Sequence, residues 1–100
     1  MANEFLQVDP RKLRLPPSPA QGADPIKLHR QIAKFGKSIA GIPPLWVHRG
    51  KDGELRIVDG VTRATRVAKL LPGTNVMVEV IEEHPSSDYS RGPTVADMLP

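Results

Sequence analysis

Apolar positions recur along this chain with two different periods, and the period changes mark its elements. Phe5-Leu6-Gln7-Val8 reads as a short strand, turned by Asp9-Pro10. Lys12 to Leu15 alternates basic and apolar residues until Pro16-Pro17-Ser18-Pro19 ends regular structure. A helical period follows, with Leu28, Ile32 and Phe35 at i, i+4 and i+7 forming one apolar face and Lys27, Arg30 and Lys34 lying off it. Asp24-Pro25 opens that helix with an acceptor side chain at the N-cap and proline at the first helical position, and Gly36 closes it.

Strand patterning returns in Leu45-Trp46-Val47-His48-Arg49 and Leu55-Arg56-Ile57-Val58-Asp59. Asp52-Gly53 between them predicts a tight hairpin turn with both central residues at positive φ. Val61, Ala64, Ala68 and Leu71 then share one side of a second helix over about 61–71, stopped by Pro72-Gly73. On that helix Arg63 and Arg66, three apart, are expected as surface neighbours. Val76 to Ile81 is a valine-rich strand, expected to be the central buried one. The order strand, helix, hairpin, helix, strand predicts a small α/β or α+β domain, a mixed sheet with helices packed on it, over residues 1–83. From His84 the composition shifts to Ser, Pro, Gly and Asp, so residues 84–100 are expected to form a mobile tail, in which Val95 to Leu99 is a candidate docking segment.

Composition narrows the chemistry. One hundred residues make one domain, and 25% charged against 39% hydrophobic residues is an ordinary globular balance. The net charge of +3 permits an anionic partner without requiring one. The absence of cysteine excludes disulfides, thiolate catalysis and cysteine-bound metal centres. Nothing resembles a signal peptide and no segment approaches the ~20 apolar residues of a spanning helix, so a soluble, cytoplasmic protein with no membrane partner is the expectation.

The chemistry concentrates at Ile57-Val58-Asp59-Gly60-Val61-Thr62-Arg63-Ala64-Thr65-Arg66, where a strand runs through Asp-Gly straight into a helix. Glycine lets a backbone approach a ligand closely. The first N–H groups of a helix lack partners inside it and its dipole favours an anion there. Thr62 adds a hydroxyl and Arg63 a guanidinium fork, which together suit a phosphate. Asp59 ends an apolar strand, where a carboxylate is costly unless paired or used. A salt bridge to Arg63 or Arg66 and a role on a metal or proton are both open to it. His29, His48 and His84 show no metal-like spacing and are expected as surface or core histidines rather than a zinc site. Trp46 is expected in the core or on a sheet face, and Arg11, Lys12 and Arg14 along a solvated edge.

Taken together, Val8-Asp9-Pro10-x-x-Leu13, the helix to Gly36, Pro44-Leu45-x-Val47, Asp52-Gly53-x-Leu55-x-Ile57-Val58-Asp59-Gly60-x-Thr62-Arg63 and the valine strand resemble the ParB/sulfiredoxin-like domain, over about residues 5–83. The resemblance implies that the corner and its helix bind the phosphates of a nucleotide, with Gly60, Val61, Thr62 and Arg63 as the cradle and Arg66 as a second contact. Sulfiredoxin carries its catalytic cysteine where Val61 stands, so that activity is excluded. Partition proteins usually have Gly-Glu-Arg-Arg here and continue into a helix-turn-helix domain, for which one hundred residues leave no room. Relatives resembling nucleases or kinases use the aspartate of Asp-Gly-x-His-Arg, which Asp59 matches, although Thr62 replaces the histidine. The leading expectation is therefore a nucleoside triphosphate bound with Mg²⁺, with Asp59 as catalytic or metal-holding carboxylate if hydrolysis or phosphoryl transfer occurs. Two other classes remain open. One is a DNA-binding or protein-interaction module using Arg11, Lys12, Arg14, Arg63 and Arg66. The other is a metal-dependent nuclease or toxin domain in which Asp59 converges with Glu79, Glu82 or Glu83.

Overall fold

Among the described residues, four strands and two α-helices form a small mixed α+β domain: β1 (Glu4–Val8), α1 (Pro25–Phe35), β2 (Leu45–Gly50), β3 (Leu55–Asp59), α2 (Val61–Leu70) and β4 (Val76–His84). The computed structural model describes residues 3–17 and 22–100, so Ser18 and Pro19 of the expected proline break lie outside the described residues. Sheet order is β1-β4-β2-β3, with β4 parallel to β2 and the other pairs antiparallel. The valine strand is thus interior, and Val76, Val78 and Val80 are buried on one face with Leu45, Val47 and Ile57 from its neighbours. Ala64, Val67 and Ala68 of α2 close that core. Small and β-branched side chains on this stripe let the helix lie close to the sheet. Among the described residues, no helix is long and apolar enough to cross a membrane.

The helix signals are realised atom by atom. Asp24 Oδ1 accepts from the N–H groups of Ile26 (2.8 Å) and Lys27 (3.3 Å), and Gly36 ends α1 at φ 54°. The hairpin differs from expectation, because Gly53 (φ 80°) has a positive φ and Asp52 does not. Gly53 N donates to Gly50 O (3.0 Å) and Gly50 N to Glu54 O (2.9 Å), a longer turn carrying one left-handed glycine. Asp52 also reaches beyond its own turn, where its Oδ2 accepts from Tyr89 N (3.2 Å) and Ser90 N (2.9 Å).

The C-terminal residues also differ from expectation. Residues 85–100 are packed rather than loose, consistent with the docking segment expected at 95–99. Tyr89 and Val95 are buried, Leu15 N donates to Pro93 O and Val95 N to Leu13 O, both at 2.9 Å. The same segment, Leu13 to Leu15, pairs with the free edge of β3 through Arg14 N to Leu55 O and Ile57 N to Arg14 O. Ser, Pro and Gly here make turns between buried anchors, and each anchor removes apolar area worth about 2 kcal/mol from water.

Two register skips shape the sheet. Trp46 pairs with Asp59 but Val47 with Ile57, which bypasses Val58, and Val47 pairs with Val80 but His48 with Glu82, which bypasses Ile81. Each extra residue rephases the strand beyond it.

Candidate anion-binding cleft

The Asp59–Arg63 corner is as tight as its sequence suggests. Gly60 sits at φ 115°, and a Cβ there would fall 2.3 Å from Leu45 Cδ2 and 3.0 Å from Arg63 Nη2. Conformation and space both demand glycine. α2 starts without a side-chain cap, and its first helical bond is Ala64 N to Gly60 O (2.9 Å). The N–H groups of Val61, Thr62 and Arg63 are therefore left without helical acceptors at the positive end of the dipole.

A cavity of about 300 Å³ opens at this corner, lined by Asp59, Gly60, Val61, Thr62 and Arg63 and, across it, by Lys27 of α1. Asp24 and Gln31 also face it. Arg63 Nη2 donates to Asp59 Oδ2 (3.2 Å), while its Nε is buried with no partner among the described residues. Gln31 Oε1 is buried and unpartnered as well. A buried donor and a buried acceptor left open in the lining of one cavity are costly unless a ligand or water completes them. Asp59 is 64% exposed in its side chain, so a carboxylate at the strand end is solvated as well as paired.

The cavity continues along α1. Lys27, Arg30 and Lys34 line an adjoining depression with Gln31 and Thr62. These cations recur at i, i+3 and i+7, so they share one side of the helix. That spacing was visible in the sequence as residues off the apolar stripe, and it is the signal by which they could have been assigned to the site. Asp24, the acid nearest to them in sequence, is occupied in capping α1.

Arg66 departs from expectation. It is 1% exposed, pointing inward instead of standing beside Arg63 on the surface. Nη1 donates to Gly36 O (2.7 Å) and Ser38 O (2.8 Å), the carbonyls that follow α1, and the guanidinium lies 5.3 Å from the Phe35 ring centroid. Burial draws its pKa below the ordinary arginine value. A cation at the carbonyl end of a helix complements its dipole, so Arg66 staples α1 to α2. It also lines an apolar depression of about 210 Å³ with Arg63, Phe35 and Ile42, a wall of the same cleft rather than a free phosphate contact.

The remaining candidates are dispersed. Arg14 pairs with Glu54 and donates Nη1 to Gly92 O (2.8 Å). Glu79 accepts from Asn3 Nδ2 (2.7 Å), Glu83 is held by Arg49, and Glu82 lies beside His48 and His84. Asp59 and Glu79 flank Trp46 from opposite neighbouring strands, about two strand spacings or ~10 Å apart, so no glutamate of β4 converges with Asp59. Trp46 itself lies on the open sheet face, half exposed.

Compared with known proteins, the chain matches no family model and no curated sequence.

Proposed function

We propose that this domain binds the phosphates of a nucleoside triphosphate in the cleft between α1 and α2, with Mg²⁺ carried by the nucleotide. The observation that carries the reading is the cavity where free helix N–H groups, the unpartnered Arg63 Nε and Lys27 meet. A volume near 300 Å³ is at the low end for small-molecule sites. It suits a phosphate chain, with the nucleoside extending along Lys34 and Phe35. The resemblance of the Asp59-Gly60-x-x-Arg63 corner to the ParB/sulfiredoxin-like domain points the same way.

Roles follow from the geometry. The N–H groups of Val61 and Thr62 and the Arg63 fork hold phosphate oxygens, Thr62 adds its hydroxyl, and Gly60 gives the ligand access to the backbone. One or two carboxylates with substrate phosphates are the usual magnesium environment, and Asp59 fits that pattern through the oxygen not engaged by Arg63. Where phosphoryl transfer occurs, Asp59 orients the attacking water or hydroxyl and Arg63 offsets charge on the transferred group. The DNA-binding reading is less favoured, because Arg14 is neutralised by Glu54 and Arg66 is enclosed. The nuclease reading lacks a second carboxylate beside Asp59 from β4.

The test is a two-dimensional NMR titration with CTP, ATP and GTP, each with Mg²⁺. Localised shifts at Gly60 to Arg63 and at Lys27 are expected with one nucleotide. Arg63→Ala should reduce affinity at least tenfold while changing stability by less than about 1 kcal/mol. Unchanged affinity in that variant would refute the site.

A further inference from the structure

We propose that His48, Glu82 and His84 form a solvent-facing site for a single divalent transition metal of the Zn²⁺ class, remote from the nucleotide cleft and independent of it. The donors are assembled by the sheet. His48 follows buried Val47 on β2 and so faces the side away from the core. Without the skip at Ile81, Glu82 and His84 would continue the phase of Val76, Val78 and Val80 into the core. The extra residue turns both of them to the side that His48 occupies and makes Glu82 its cross-strand partner.

The distances are those of a shared ligand shell. Candidate donor atoms from all three residues lie within 4.8 Å of one another. His48 Nε2 is 3.6 Å from Glu82 Oε2, and His84 Nε2 is 3.1 Å from Glu82 Oε1. Ligands placed ~2.0–2.2 Å from a tetrahedral Zn²⁺ are about 3.3–3.5 Å apart, so a small closure brings the three onto one ion. The imidazole rings are packed at 4.3 Å between centroids with a 54° tilt, and both Nε2 atoms address one carboxylate.

The surroundings favour the same role. Tyr89 Oη is hydrogen-bonded to His84 Nδ1, which fixes the ring and leaves Nε2 as its ligand atom. Such an outer partner orients metal-binding histidines in general. Arg49 is held by Glu4 (2.9 Å) and Glu83 (2.7 Å), and Arg56, the cross-strand neighbour of His48, lies over the Tyr89 ring at 4.3 Å, which leaves Glu82 to the imidazoles. Two imidazoles with one carboxylate select zinc, cobalt, nickel or copper over the all-oxygen preference of magnesium. With Glu82 62% exposed, the fourth position of the ion opens to water.

Calorimetry with Zn²⁺ alone on the full chain, paired with histidine-ring ¹⁵N spectra, tests this. One equivalent of zinc should bind, moving the Nε2 signals of His48 and His84 while the exposed His29 stays in place. Glu82→Gln, at an exposed position that leaves the fold intact, should weaken binding at least tenfold, and Tyr89→Phe by roughly tenfold. His84→Ala should abolish it. Absence of saturable binding, a response confined to His29, or full affinity in His84→Ala would overturn the proposal. None of these outcomes bears on nucleotide binding, which is read at Gly60 to Arg63.

Discussion

The two ends of this domain treat charge in opposite ways. At the sheet end near Gly50, Arg49 is held by two carboxylates and its protonated form is strengthened by both, while Arg14 is matched by Glu54. Between α1 and α2, Lys27, Arg30 and Lys34 take part in no ion pair among the described residues, and Arg63 faces one carboxylate with its Nε left over. Exposed ion pairs add little stability, with a median of about 0–1 kcal/mol each. Their effect is to cancel the local field. Where cancellation is missing, a positive potential survives in a concave place, and that is the condition for attracting and holding an anion. The net charge of +3 is therefore less informative than where the uncompensated cations sit.

Perturbing the corner should give the largest effect. Gly60→Ala forces a Cβ into Leu45 at a left-handed φ and should cost roughly 3 kcal/mol, seen as a lower urea midpoint. Arg66→Met removes the staple between α1 and α2 and exposes two carbonyls to an apolar neighbour, for a loss of about 1–3 kcal/mol. Nucleotide affinity in that variant should fall less than in Arg63→Ala; an equal fall would promote Arg66 from staple to ligand contact. Smaller still is the contrast between exposed cations. Lys34→Ala should lower nucleotide affinity about threefold and flatten its salt dependence, with stability unchanged, whereas Arg49→Ala should shift stability by less than about 1 kcal/mol and leave affinity alone. If both variants behave alike in the binding assay, the contrast between paired and unpaired ends fails.

Acid provides the mildest probe. Asp88 ionises below its ordinary range because Ser90 donates to it from its hydroxyl and backbone N–H, and Asp97 because the backbone and hydroxyl of Thr94 bond to it. A carboxylate with a depressed folded pKa contributes fully above its unfolded value of about 3.8 and loses that contribution as pH falls through the folded value. The turns at Ser90 and Thr94 should therefore hold at neutral pH and loosen only below about pH 4. Amide signals of Ser90 and Thr94 would report it, and loosening already at pH 6 would exclude these carboxylates as the cause.

Local chemistry was the legible part of the sequence. Asp24-Pro25, Gly36 and Pro72-Gly73 act on their own neighbours, and the structure places helix ends there within a residue or two. Gly60 was legible for the same reason. What depended on distant partners was not. Asp52-Gly53 carried a hairpin signal, but the turn lengthened where Asp52 also bonds Tyr89 and Ser90, thirty-seven and thirty-eight residues away. Arg66 is polar on a helix whose exposed face begins only at Lys69, and its inward turn depends on where the carbonyls of Gly36 and Ser38 finish. The histidines looked unrelated because thirty-six positions separate them and a register skip, rather than a spacing, brings them together.

That skip also sets how this chain tolerates change in length. Point substitutions at Ile81 keep the extra residue, whereas deleting it would remove the skip and leave β4 in unbroken alternation, because Glu82 would then follow Val80 directly. Glu82 would still oppose His48, and Glu83 and His84 would keep their sides of the sheet, so the pairing of Glu83 with Arg49 would survive. At this one position of β4 a lost codon is therefore no worse for the register than a changed one.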